Sequence, residues 1–173
     1  MNPITSLEDL FYHELQVLWS AETMLVDKMP LMVQRAKNEG LRQLLALHLA
    51  ETRQHKVAIE GICKELGVDP AGDPNPGMKG ILAEGQMVMS KEATPQAMDA
   101  ALIAGAQKAE HYEISGYGSA ACYAEMLGLE AIAMRLRLTL EEERQADTKL
   151  NFIAKNLVNE QALSTARRTQ MAT

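Results

Sequence analysis

The sequence predicts an all-α fold, a bundle of four long helices arranged as two antiparallel hairpins joined by a long crossover. Three observations predict it. Apolar residues make up 47% of the 173 residues and aromatics only 4%, with the helix formers Ala, Leu, Met, Glu, Lys and Gln prominent. Four long stretches repeat apolar residues at intervals of three and four. Two of the breaks between them centre on single glycines, Gly40 and Gly128, whereas the break from Gly67 to Thr94 is long and opens with clustered Pro and Gly.

The first helix starts at Thr5 or Ser6, either of which can cap it, with Glu8 and Asp9 suited to its first turn. Its stripe reads Leu7, Phe11, Leu15, Leu18, Leu25, Met29 and Met32. Pro30 lies inside this pattern and predicts a kink rather than an end, because the pattern continues to Ala36; Gly40 is the expected stop. The second helix runs from about Leu41 to Leu66 and ends at Gly67. Residues 67–77 hold three prolines and three glycines and predict a loop. A short amphipathic helix, about Met78 to Ser90, follows. Thr94 then caps a third long helix with Pro95 at its first position, running to about Leu127 and stopping at Gly128. The fourth runs from about Leu129 to Leu157, and the polar tail after Val158 is expected to fray. Tight links make antiparallel neighbours, so two hairpins joined by one long crossover give a ferritin-like connectivity. One domain is expected over residues 1–173, with the bundle at about 5–158, the crossover at 67–94 and a tail at 159–173.

Composition excludes several functions. The net charge is −6 with a pI near 5.3, and no basic run longer than Arg167-Arg168 offers a nucleic-acid footprint. No apolar stretch reaches the roughly 20 residues that a membrane span needs, and the N-terminus lacks the basic and apolar regions of a secretory signal. Cys63 and Cys122 form no CxxC motif and read as small buried apolar residues in a reduced cytoplasm.

Acidic residues interrupt the stripes where a core should be. The faces read Phe11, Leu15, Leu18, Glu22, Leu25, Met29 on the first helix and Leu41, Leu44, His48, Glu51, His55, Ile62 on the second. The third reads Leu102, Ala106, Glu110, Glu113, Tyr117, and the fourth Leu136, Leu140, Glu143, Asp147, Leu150, Leu157. Each helix thus sets an acid on its apolar face near its middle. The hairpins also echo one another. Ser20-Ala21-Glu22 resembles Lys108-Ala109-Glu110, and Leu49-Ala50-Glu51-Thr52-Arg53-Gln54 resembles Leu140-Glu141-Glu142-Glu143-Arg144-Gln145. That echo equates Glu51 with Glu142, while the stripe of the fourth helix selects Glu143. Carboxylates gathered in a low-dielectric core are prohibitively costly unless paired or protonated, and no Lys or Arg shares these faces. Two metal ions held by Glu22, Glu51, His55, Glu110, Glu113, Glu143 and Asp147 would supply the missing charge, and carboxylate with imidazole suits iron or manganese.

At these residues the sequence resembles the YciE/YciF family of ferritin-like bacterial stress proteins, on the YciF side. The resemblance spans roughly residues 4–158. It is carried by Ser20-Ala21-Glu22, His48-Leu49-Ala50-Glu51-Thr52, the long block from Asp99 to Ile114, and Thr139-Leu140-Glu141-Glu142-Glu143. It implies a ferritin-like bundle, a homodimer, a two-metal centre with iron first and manganese second, and induction under osmotic or related stress. It implies no particular reaction. Glu110-x-x-Glu113 also looks like the corresponding helix of rubrerythrins, which act on peroxide, so O₂ or peroxide is the expected small-molecule substrate of a redox reading. The usual signature of such sites is Glu-x-x-His on two helices. Here the second helix offers Glu51 with His55 one residue further on, or Gln54 at the standard spacing, and the fourth offers Glu143 with Asp147 and no histidine. Fewer nitrogen donors favour a harder, more oxidised metal.

The remaining polar residues have plainer readings. His48 reads as a packing residue or a residue behind the ligands, His111 and His13 as surface, Tyr117 as core and Trp19 as packing. A non-catalytic metal-holding or helical scaffold protein is the alternative to a redox enzyme.

Overall fold

The computed structural model describes residues 4–72 and 75–164. Helix α1 (Leu7–Arg35) opens on a capping box, in which the Ser6 side chain accepts from the Asp9 N–H while Asp9 accepts from the Ser6 N–H. It runs through Pro30 as expected. It ends where Ala36 turns extended, and Gly40 plays no part in stopping it. That glycine lies in the first turn of α2 (Glu39–Leu66), which Asn38 caps through the Leu41 N–H. The turn is fixed from outside instead. Buried Asp99 accepts the backbone N–H groups of Lys37 and Asn38 at 2.8 Å each. Sequence pattern carries no sign of so distant a partner.

Gly67 ends α2 in the left-handed region at φ 71°, donating back to the last turn. The crossover helix α3 (Pro76–Met89) starts two residues before the expected Met78, because Asn75 caps it and Pro76 takes the first position. Asn75 is buried and also ties the crossover down: it donates to the Val17 carbonyl and accepts from the Tyr112 hydroxyl. Helix α4 (Pro95–Met126) is capped by Thr94, and Gly128 at φ 73° makes the turn into α5 (Glu130–Ile153). A π-helical turn over Ala154–Val158 follows, and α-helix resumes over 159–164, so the described part of the tail is helical rather than frayed. The π turn adds a residue to the repeat and rotates the stripe. Val158 is buried and Leu157, the expected core residue, is exposed. The rest of the tail, with Arg167-Arg168, lies outside the described residues.

Short links between helices of this length make α1–α2 and α4–α5 antiparallel hairpins. Around the bundle the neighbours run α1, α2, α5, α4 and back to α1, and α3 lies over α4 and α1. One apolar cluster, with Phe11, Leu15, Ile59, Tyr117 and Leu136, fills one end. A second, with Leu41, Leu45, Leu102 and Leu150, fills the other. Met78 of α3 packs with Leu25, Met29 and Ala109 at the side. Cys63 is buried as expected, whereas Cys122 is exposed, because it falls off the Tyr117, Ala121, Ala124 seam of α4. Among the described residues no helix is long and apolar enough to cross a membrane.

Asp99→Ala should cost about 2 kcal/mol, since it strands two N–H groups that lose a charged acceptor. Urea unfolding of the two proteins checks this; an unchanged midpoint would show that the turn holds without the carboxylate.

Candidate metal centre

Between the two apolar ends lies a polar layer. Glu22 of α1, Glu110 and Glu113 of α4 and Glu143 of α5 are all at most 2% exposed. The second helix faces them with His48, Thr52 and His55, also buried. Its interior follows Leu41, Leu45, His48, Thr52, His55, Ile59 and Ile62, alternating steps of four and three. The expected face through Leu44 and Glu51 is the neighbouring one, and both residues are only half-buried. In α5 the interior follows Leu136, Leu140, Glu143, Ala146 and Leu150. Asp147 therefore stands one position aside, accepting from the Gln107 and Asn151 side chains.

The layer resolves into two triads. Glu22, His55 and Glu143 each place one donor atom within 4.8 Å of the others, and so do His48, Glu110 and Glu143. Glu143 belongs to both. His55 Nδ1 lies 2.9 Å from Glu143 Oε1 and 3.6 Å from Glu22 Oε1. His48 Nε2 lies 3.0 Å from Glu110 Oε1 and 3.6 Å from Glu143 Oε2. Each imidazole turns its other nitrogen outward to a carboxylate: His48 Nδ1 to Glu51 at 3.3 Å, His55 Nε2 to Glu142 at 2.8 Å. These outer carboxylates fix which nitrogen faces inward.

Of the seven candidate ligands, the structure thus brings Glu22, His55, Glu110, Glu113 and Glu143 into one layer and sets Glu51 and Asp147 beside it. Glu51 backs His48, and Gln54 is exposed. The sequence ambiguity between Glu142 and Glu143 resolves by facing: Glu143 points inward, and Glu142 is half-exposed behind His55. Sequence reasoning put His48 behind the ligands; the structure turns its Nε2 into the layer, on the face it shares with His55 seven residues on. Tyr117 is core as expected, and its hydroxyl donates to Glu22 Oε1. His111 is exposed, His13 half-buried rather than exposed, and Trp19 packs at the rim, donating to Glu60 with Lys56 over its ring.

The fit to metal rests on the unpaired atoms. Glu22 Oε2, Glu110 Oε2, Glu113 Oε1 and both oxygens of Glu143 are buried with no hydrogen-bond partner. His55 Nδ1 is close to Glu143 yet not aligned to donate to it. Stranded polar atoms cost about 1–3 kcal/mol each. Together these would consume a stability comparable to that of a whole domain, about 5–15 kcal/mol. The layer must therefore take up cations or protons. Oxygen donors with inward-facing imidazoles suit a divalent transition metal.

Protonation fills the same need. Burial, then the charge of Glu143, lifts Glu22 from the ordinary 4.5 to about 8. Burial also lifts Glu110 to about 7, against the pull of His48. Glu113 is raised well above its usual range by burial and the surrounding carboxylates. Burial depresses His48, but Glu110 and Glu51 outweigh it and raise the imidazole to about 11. His55 goes the same way to about 9, through Glu143.

A family model described as a domain of unknown function, DUF892, matches residues 6–163. Protein YciF of Escherichia coli (strain K12) is 37% identical over 158 residues, 91% of this chain and 95% of that one. The crystal structure of the E. coli stress protein YciF superposes with a TM-score of 0.86, covering 90% of this chain and 99% of that one, at 37% identity. YcfI from Rhodopseudomonas palustris, provisionally described as structural, superposes at 0.83 with 37% identity, covering 87% of this chain and 96% of that one.

All five shifted groups hold their protons more tightly folded than unfolded. Their contribution to stability is present below the unfolded values and is lost as pH rises through the folded ones. Metal-free protein should therefore lose stability steadily between about pH 5 and pH 9. Metal-loaded protein should lose less, because the ions displace the same protons. Urea midpoints with and without chelator test this, and a flat metal-free profile would contradict it.

Proposed function

The chain belongs to the DUF892 family, and from that premise we propose that it is a dimetal-carboxylate protein of the stress response, binding two iron or manganese ions in the bundle core. The sharing of Glu143 between two triads carries the reading. A lone site needs one triad. Two triads joined by one carboxylate suit a pair of ions with a bridging ligand. Glu22 and His55 would complete one position, His48 and Glu110 the other. Glu113, with an unpartnered oxygen in the same layer, is the remaining donor. When bound, the pair would supply Lewis acidity and redox capacity toward O₂ or peroxide.

The chain's own residues prepare the place. Glu51 and Glu142 hold the outer nitrogens of His48 and His55, so that His48 Nε2 and His55 Nδ1 face inward. The Tyr117 hydroxyl holds one oxygen of Glu22 and leaves the other free. A cavity of about 460 Å³ reaches His48, Glu110 and Glu113 from the side of α3, giving small oxidants an approach. The stress setting is taken from the E. coli relative's description. The description of the R. palustris neighbour supports a second reading, in which the ions mainly brace the bundle. A homodimer in the cytoplasm belongs to the same proposal, and sedimentation velocity decides the assembly.

Elemental analysis after metal loading should find about two ions per chain. Glu143→Ala should lose both, and Glu110→Ala should fall toward one. Glu51→Ala should keep both at saturating metal, with affinity reduced by about 10-fold or more. Two ions retained in Glu143→Ala would sink the bridging assignment. Consumption of O₂ or peroxide by the reduced, loaded protein separates the redox reading from the bracing one, for which no turnover is expected.

A further inference from the structure

The cavity beside the metal layer is larger than O₂ or peroxide requires. At about 460 Å³ it falls within the range of about 300–1,000 Å³ typical of small-molecule sites. Its wall is aliphatic. Met24, Met29, Met32 and Met89 contribute flexible thioethers, and leucines, isoleucine and valine make up much of the rest. Among the described residues His48 is the one ring in the wall, so a flat aromatic ligand would find no phenyl or indole face there to stack on. Gly85, Gly105 and Ala106 keep the α3–α4 side open. Where the cavity meets water it carries two exposed lysines, Lys28 of α1 and Lys79 of α3. Among the described residues Lys28 pairs only with its neighbour Asp27 at the surface, a weak interaction. Lys79 has no acidic partner among the described residues. The inner wall is polar instead, with Glu110 and Glu113 beside His48.

An aliphatic interior with cations at the solvent edge and a carboxylate layer within fits one class of ligand. We propose that the cavity binds a single free aliphatic carboxylate, a fatty acid, with its head at Lys28 and Lys79 and its chain among the methionines. The volume suits one chain rather than the two of a membrane phospholipid. A carboxylate head is matched by the lysines at the solvent edge and an alkyl chain by the aliphatic interior, which fixes the direction of entry. The inference rests on the dimetal reading for one point only, that the chain lies against a reactive centre and is its substrate class; binding itself needs only the cavity.

The test uses metal-loaded full-length protein and dodecanoate, followed by calorimetry, with metal content measured on the same samples. One dodecanoate per chain is expected. Gly105→Leu extends into the space without forcing the backbone, since a Cβ at Gly105 meets nothing within 4 Å and leucine is the better helix former. It should weaken binding at least tenfold while keeping both ions. Lys28→Gln combined with Lys79→Gln should weaken dodecanoate several-fold and leave dodecanol unchanged. Phosphatidylglycerol vesicles free of fatty acid should not compete. No dodecanoate binding by a chain that holds two ions overturns the proposal and leaves the dimetal reading standing. Undiminished binding by Gly105→Leu also overturns it, as does a cavity closed by a second copy of the chain. Specific binding by a chain that takes up no metal keeps the fatty-acid site and removes the dimetal reading.

Discussion

Four carboxylates from three helices meet in the middle of the bundle, and they must be neutralised for the helices to pack. Glu22, Glu110, Glu113 and Glu143 are buried as deeply as the leucines above and below them. Two imidazolium groups from α2 offset half of that charge at most. The remainder has to come from protons or bound cations, and burial raises the affinity of Glu22, Glu110 and Glu113 for protons accordingly. Protons and bound cations would be two answers to one electrostatic problem.

The surrounding structure serves that layer. Apolar clusters at both ends seal it from water, which strengthens every interaction inside. The Asp99 contact to the α1–α2 turn and the Asn75 contacts beneath the crossover join elements distant in sequence. They hold the two hairpins at the depth where the acids coincide. Glu51 and Glu142 sit behind the imidazoles, so the second and fifth helices each contribute an outer carboxylate. The internal echo in the sequence, which equated Glu51 with Glu142, corresponds to this shared role. On that alignment Thr52 occupies the position of Glu143, and its hydroxyl turns back to the His48 carbonyl instead of into the layer.

The fold class and the identity of the acid layer were legible in the sequence because both follow from periodicity. Glu22, Glu110, Glu113 and Glu143 share faces with long runs of apolar residues, and the capping signals at Ser6, Thr94 and Gly67 are local. What failed was rotation by a single position. Glu51 and Thr52 are ~100° apart on a helix, and a stripe drawn through Leu44 or through Leu45 selects a different one. Asp147 was misplaced by the same ambiguity beside Ala146. Gly40 misled because glycine is also tolerated in a first helical turn, and the true stop depends on Asp99, sixty residues away. The π turn at Ala154–Val158 has no recognisable sequence signature, yet it decides that Val158 and not Leu157 reaches the core.

The most direct test of the account is the anomalous scattering of crystals grown from iron- or manganese-loaded protein, collected on either side of the metal absorption edge. Two peaks should flank Glu143, one beside Glu22 and His55 and the other beside His48 and Glu110. An empty layer at saturating metal, with Glu143 paired only to the two imidazoles, would contradict it.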